Sequence, residues 1–186
     1  MELFLETSLS SLYLALINNQ KIIDKIELKA LVKKTDALFE QINLLFVRNN
    51  VSINDIKKIK ITIGPGSFSG ARIALLYARS ICQLSNIKLA ITTTYELIKK
   101  QLELKNQFEG YIKIKANRYN TYLIHFDKLT NKFLSSEIID EQNQYHELDY
   151  DFLETNFEKF ETCFQEISDL MGIELCYLHD PQIGGL

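Results

Sequence analysis

The densest run of residues that could do chemistry is Gly64-Pro65-Gly66-Ser67-Phe68-Ser69-Gly70-Ala71-Arg72. It holds three of the seven glycines and one of the two prolines. An apolar strand, Ile59 to Ile63, runs into it, and a helix-compatible stretch, Ala71 to Leu84, runs out. Glycines at a strand-to-helix turn let backbone approach backbone and aim amide N–H groups outward. The spacing does not match the standard phosphate motifs. A P-loop needs GxxxxGK followed by Ser or Thr, whereas Ala71 and Arg72 follow Gly70. A dinucleotide fingerprint needs glycine where Ser69 stands, and no frame gives the GxSxG of a nucleophile elbow. Two readings remain. Gly64, Gly66, Ser67, Ser69, Gly70 and Arg72 bind an anion at the helix start, or the loop is architectural. The second is favoured, with Ser67 or Ser69 capping the helix and Gly70 permitting close packing.

Acid–base candidates are sparse. Glu6, Thr7, Ser8 and Ser10 fall between two predicted strands, where a lone glutamate is usually structural. His125, His146 and His179 show no metal-ligand spacing, and neither HxxxH nor HExxH occurs. No recognised motif assembles a Ser-His-Asp triad. Asn117-Arg118 is a candidate substrate contact, with a surface hairpin turn as the plainer reading. Cys82, Cys163 and Cys176 are far apart and lack CxxC spacing, so neither a disulfide framework nor a zinc site is expected.

Bulk properties narrow the class. At 186 residues, 46% hydrophobic and 24% charged, the chain is expected to pack one domain or two intimately joined lobes. Net charge is −3, and the only arginines are Arg48, Arg72, Arg79 and Arg118. Lys57, Lys58 and Lys60 are the densest basic cluster, and a solvated turn explains them. A protein gripping a phosphate backbone alone would show a basic face, so strong direct nucleic-acid binding is disfavoured. The start lacks a basic n-region, and no apolar run reaches the length of a membrane span. A cytoplasmic location is the expectation.

The elements that must position these residues follow from periodicity. Leu3 to Leu5, Leu12 to Ile17 and Ile22 to Leu28 read as a meander whose second strand is apolar on both faces, as in a central strand. Thr35 to Arg48 reads as a helix with Leu38, Ile42, Leu45 and Phe46 on one stripe and Thr35 and Asp36 at its cap. Strand Leu89 to Thr92 leads to a helix capped by Thr93 and running to about Leu104. A lobe boundary is placed near residue 105. Tyr111 to Lys115, Tyr119 to Asp127 and Phe133 to Ile139 read as three strands. Residues 137–161 carry nine acidic side chains against one lysine and read as a solvated face. Leu175 to Leu178 is a candidate last strand. The order is a mixed-sheet α/β pattern. The helix after the glycine loop is apolar almost all round and so must be buried on two sides. Gly70, Ala74 and Ala78 give it a ridge of small residues.

The string Gly64 to Leu75 closely resembles the GPGSFTGLRIG signature of the TsaB (YeaZ) family of threonylcarbamoyladenosine proteins. Leu3-Phe4-Leu5-Glu6-Thr7-Ser8 and Ile91-Thr92-Thr93-Thr94 match as well. Ala116-Asn117-Arg118 with Tyr122, and Tyr177-Leu178, stand more weakly for a DARRGEVY-like hairpin and a terminal YLR. The likeness is good over residues 1–105 and thin beyond. It implies an actin-like, ribonuclease-H-like α/β fold: a mixed sheet with flanking helices, an N-terminal lobe 1–105 and a shortened C-terminal lobe 106–186. Glu6, Thr7 and Ser8 would form a vestigial phosphate hairpin.

The resemblance further implies a non-catalytic scaffold for the transferase TsaD, with the ATPase TsaE as third partner. It implies a homodimer when alone, and only indirect contact with tRNA. No catalytic residue, metal or resident cofactor is implied, with ATP or ADP at the partner interface as the open alternative. Leu38, Ile42, Phe46, Ala71, Ala74, Leu75 and Ala78 are the expected partner surface. There are departures: Leu5-Glu6-Thr7 stands where the family has IDT, Ala74 replaces a glycine, and the DAR signature is lost. The rivals are an ATP-hydrolysing or peptidase-like enzyme of the same superfold, and a homodimeric interaction protein with another partner.

Overall fold

The structure is a computed structural model that describes residues 1–29, 34–117, 119–127, 129–141 and 144–178. Arg118, His179 and the tail with Pro181, Gly184 and Gly185 therefore lie outside the described residues. A six-stranded mixed sheet organises the first half. Its strands are β1 (Glu2–Glu6), β2 (Leu12–Asn18), β3 (Lys21–Leu28), β4 (Lys58–Thr62), β5 (Lys88–Thr92) and β9 (Gln165–Ile167), in the order β3-β2-β1-β4-β5-β9. β1 runs antiparallel to β2 and parallel to β4, while β5 is parallel to β4 and antiparallel to β9.

Alternation along β1 and β2 feeds two cores. Leu3, Leu5, Leu14 and Leu16 face α1 (Lys34–Arg48) and α2 (Phe68–Gln83), where Leu38, Ile42, Leu45 and Ala74 meet them. Phe4, Tyr13, Ala15 and Ile17 face the other way, toward Leu97 and Ile98 of α3 (Thr94–Leu104). A central strand apolar on both faces is the arrangement read from its sequence.

Beyond α3 the chain builds a three-stranded antiparallel sheet of β6 (Tyr111–Lys115), β7 (Thr121–Phe126) and β8 (Phe133–Ile139), in that order. It then returns through α4 (Tyr150–Thr155) and α5 (Phe157–Phe160), and β9 joins the edge of the first sheet. Ile112, Ile114, Ile124 and Phe126 share the second core with Tyr150, Leu153, Phe157 and Phe160.

Four expectations are corrected. α1 starts at Lys34, so Thr35 and Asp36 occupy its first turn and do not cap it. The acidic stretch holds two short helices, because Tyr150, Leu153, Phe157 and Phe160 recur at helical spacing and bury their rings and methyls between the acids. The closing strand is β9, not Leu175 to Leu178. That later segment is tied to the sheet by the Cys176 amide, which donates to the Ile63 carbonyl at 2.8 Å. Finally, Lys60 is not on a solvated turn but is 1% exposed. Its ammonium donates to Glu2 and Glu161 and lies 5.3 and 5.4 Å from the ring centres of Phe157 and Phe164.

Lys60 thus pins α5 and the turn after it to β4. Its removal would strand two half-buried carboxylates against an apolar wall. Lys60→Ala is expected to cost about 1–3 kcal/mol, discounted from a fully buried pair because both acids keep some water. Urea unfolding measures it, and an unshifted midpoint would show the ion pairs to be idle.

Candidate functional site

The site is built where the β1–β2 hairpin meets the glycine loop. Glu6 ends β1 and is fully buried. One carboxylate oxygen accepts from the amides of Ser8 at 2.6 Å and Leu9 at 3.0 Å and from the Thr62 hydroxyl at 3.1 Å. The other accepts from the Tyr150 hydroxyl at 2.6 Å. Burial pushes the Glu6 pKa up, opposed by the Tyr150 bond, the Lys34 charge and the two amides. Burial, with the Glu6 charge, holds Tyr150 well above the usual phenol range. Lys34 caps the hairpin from α1, donating to the carbonyls of Thr7 at 2.8 Å and of Leu9. Burial draws its pKa down.

The glycine loop clamps this hairpin from the side. The Ser67 amide donates to the Ser8 carbonyl at 2.5 Å, and the Thr7 hydroxyl donates to the Gly70 carbonyl at 2.6 Å. Gly66 has φ +147°, and a Cβ there would stand 2.2 Å from the Ser8 oxygen. A Cβ on Gly70 would stand 1.9 Å from the Thr7 oxygen. Both positions require glycine because backbone meets backbone. Ser67 is the helix cap, its hydroxyl accepting from the Gly70 amide at 3.2 Å. Ser69 is exposed and does not cap. On the far side, the Gly64 carbonyl accepts from the Thr94 amide at 2.8 Å. The Arg72 guanidinium stacks 3.6 Å over the Phe68 ring and donates to the Tyr177 hydroxyl, so its charge rests on aromatics and not on the loop amides.

Between the hairpin, the β6–β7 turn and residues 145–151 lies an open cleft of about 860 Å³. Ser10, Lys29, Lys34, Lys115, Asn117 and His146 are among the residues lining it. The His146 Nδ1 accepts from the Lys113 amide at 3.0 Å, and burial, with the Lys113 charge, holds the imidazole below its ordinary value. Asn117 turns its carboxamide oxygen onto the amides of Tyr119 and Asn120. Among the described residues, no group of three His, Cys, Asp or Glu side chains is placed to hold a metal ion.

The expected partner surface is corrected in its residues. Leu38, Ile42, Ala71, Ala74, Leu75 and Ala78 are 0–6% exposed and packed in their own core. The small ridge of α2 faces the sheet, where alanine lets a helix lie close. Phe46 is half-buried. What α1 and α2 present outward is Phe39, Leu44, Val47 and Leu76, 47–65% exposed, with half-buried Ile73 and Tyr77 between them. Phe39 and Tyr77 bridge the two helices with ring centres 5.6 Å apart. The signal for this face lay in the all-round apolarity of α2. Spacing alone could not say which side met the sheet.

Comparison with known proteins places this arrangement. Residues 30–163 match the family described as TsaD: tRNA N6-adenosine threonylcarbamoyltransferase. An uncharacterised protein of Mycoplasma genitalium is 24% identical over 97% of this chain and 95% of its own length. The tRNA threonylcarbamoyladenosine biosynthesis protein TsaB of Buchnera aphidicola subsp. Baizongia pistaciae is 32% identical over 49% of this chain and 42% of its own. Among solved structures, YeaZ from Pseudomonas aeruginosa superposes with a TM-score of 0.59 at 14% identity, covering 80% of this chain and 71% of that one. A second structure, described as similar to peptidase YEAZ from Pseudomonas aeruginosa, gives 0.60 at 16% identity over 80% and 70%. The fold is therefore the actin-like α/β fold of these proteins. The chain belongs to the TsaD family and is a TsaB/YeaZ-like member of it.

Two predictions follow from the clamp. Ser67→Ala should cost about 1 kcal/mol as a lost cap, and Gly66→Val about 2–4 kcal/mol, through positive φ and the clash with Ser8. Thermal melting compares them; a Gly66→Val chain as stable as the parent would mean the loop is not strained against the hairpin. The second concerns pH. Glu6 binds a proton more readily folded than unfolded, so its contribution to stability grows as pH falls from above its folded pKa toward the unfolded value of about 4.5 and then levels. His146 runs oppositely, losing stability as pH falls through its unfolded value near 6.5. Glu6→Gln should remove only the first effect. The difference in unfolding free energy between parent and variant should therefore change with pH, and a constant difference contradicts the burial argument.

Proposed function

We propose that this chain is a non-catalytic scaffold subunit in the synthesis of threonylcarbamoyladenosine in tRNA, acting in the cytoplasm by holding a TsaD-type transferase. The observation that carries the proposal is the fate of the hairpin amides. A phosphate-binding hairpin must offer its N–H groups to a ligand, whereas those of Ser8 and Leu9 are already spent on Glu6. Glu6 is itself enclosed by Thr62 and Tyr150 and has no free oxygen for a metal-bound water. The names of the Buchnera relative and of the matched family supply the pathway.

The outer face of α1 and α2 is the docking surface of this proposal. Phe39, Leu44, Val47 and Leu76 offer apolar area that gains about 25 cal/mol for each Å² removed from water. The transferase uses this face in the complex, a second copy uses it when the chain is alone, and the two compete. A TsaE-type ATPase joins as third partner, the chain carries no resident cofactor, with ATP or ADP at the partner interface as the alternative, and tRNA contact is indirect, in keeping with the net charge of −3.

Leu76→Glu tests the surface. It should leave the fold intact and weaken transferase binding about tenfold to a hundredfold. Ala74→Glu is no substitute, because it buries a carboxylate in the core. Normal affinity in a folded Leu76→Glu chain would move the interface elsewhere. The rival enzymatic reading is tested by phosphate release from ATP with magnesium. The purified chain should show none above background, and turnover abolished by Glu6→Ala would replace the scaffold with an ATPase.

A further inference from the structure

Residues 145–149, which are neither helix nor strand, form one wall of the open cleft, and two side chains fasten them. The first is His146. Its amide donates to the Lys113 carbonyl at 2.8 Å, and its Nδ1 accepts from the Lys113 amide at 3.0 Å. Residues paired across neighbouring strands exchange both bonds through backbone groups. Here an imidazole nitrogen stands where the second carbonyl would be, at the free edge of β6. The other fastener is Gln101 of α3. Its carboxamide donates to the Glu147 carbonyl at 3.0 Å and accepts from the Asp149 amide at 2.7 Å. Leu148, between those two residues, is buried in the second core.

The two fasteners differ in their chemistry. A carboxamide does not titrate. The imidazole Nδ1 accepts only while it is unprotonated, with the ring proton on Nε2. A proton on Nδ1 would set donor against donor at 3.0 Å. On the β6 side the ring has for neighbours Lys113, paired with Glu141, the Tyr111 ring at 6.1 Å between centres, and Glu109. Its own segment adds Glu147 and Tyr145, whose ring lies under the Lys115 ammonium. α3 brings the neutral Gln101 and the Lys105–Asp149 pair. Glu27, Lys29, Lys34 and Asp151 line the same cleft. Burial and the Lys113 charge, against the pull of Glu109, hold the imidazole below its ordinary value of 6.5, so the ring is neutral at pH 7.

We propose that His146 is a pH-released latch on the cleft: at neutral pH it clips residues 145–146 to the edge of β6, and on protonation this part of the wall comes away while Gln101 keeps residues 147–149 in place. The opening is local. It widens the cleft on its β6 side and leaves the bond from Tyr150 to Glu6 made. The latch is separate from the outer face of α1 and α2 and does not depend on the scaffold reading.

Amide hydrogen exchange of the full chain, resolved by residue with NMR between about pH 7.5 and about pH 5.5, tests it. Rates are expressed as protection factors, so that the intrinsic pH dependence of exchange cancels. Protection of the Lys113 and His146 amides should fall about fivefold to tenfold, because each pH unit below the released imidazole's value near 6.5 favours the open form by up to about tenfold. The Asp149 amide should keep its protection. His146→Asn puts a carboxamide oxygen where Nδ1 stood and should hold the Lys113 amide throughout the range. His146→Ala should leave that amide unprotected even at the upper end. Nitrogen shifts of the parent ring should show the Nε2–H form at the upper end as well. The inference is overturned by Lys113 protection that ignores pH, by the same pH dependence in His146→Asn, or by Asp149 opening in step with Lys113.

Discussion

A carboxylate taken wholly out of water must be given donors, and the structure is arranged around supplying them to Glu6. Two come from the next turn of its own chain, one from β4 and one from the start of α4. The partners lie as far as 144 residues along the sequence, so one side chain joins both ends of the fold. Tyr150 reaches it because its ring stacks on Tyr13 of β2 with centres 4.4 Å apart, which sets the height of the hydroxyl. Lys34 supplies the nearby positive charge and holds the hairpin carbonyls. Losing any one member would leave a buried polar atom unpaired.

This constraint fixes what the glycine loop can be. With the hairpin amides turned inward to Glu6, the hairpin carbonyls turn outward, and the loop supplies Ser67 N–H and close glycine backbone to meet them. The result is a rigid strand–loop–helix corner that sets the origin and direction of α2. Because α2 leaves that corner with Gly70, Ala74 and Ala78 against the sheet, it lies close, and its larger residues are displaced to the outside. The apolar outer face of α2 is thus a geometric consequence of the corner. Among the described residues no helix is long and apolar enough to cross a membrane.

The later part of the chain is held by a different economy of charge. Lys60 is kept buried by two carboxylates and two aromatic rings, which join β4 to α5 and the turn after it. Beside it, Phe4 packs on Phe157 and Phe164. The short helices α4 and α5 are too brief to be stable alone and exist because these contacts order them.

Local chemistry made much of this legible from sequence. The two-faced apolarity of β2, the Thr93 cap, a serine cap narrowed to Ser67 or Ser69, the glycine demand at Gly66 and Gly70 and the strands β6 to β8 all follow from residue type and spacing over a few positions. The helical recurrence of Tyr150, Leu153, Phe157 and Phe160 was equally present but lay hidden under the acids between them. Other features had no local signature. Which face of α2 meets the sheet depends on the corner before it. The burial of Lys60 depends on Glu161, 101 residues away, and the closing strand β9 on β5, far back along the chain. Glu6 as a hub of buried hydrogen bonds depends on Tyr150 arriving from the far end of the chain. Spacing reports on neighbours within a turn or a strand; only the packed tertiary structure decides which distant donor satisfies a buried charge.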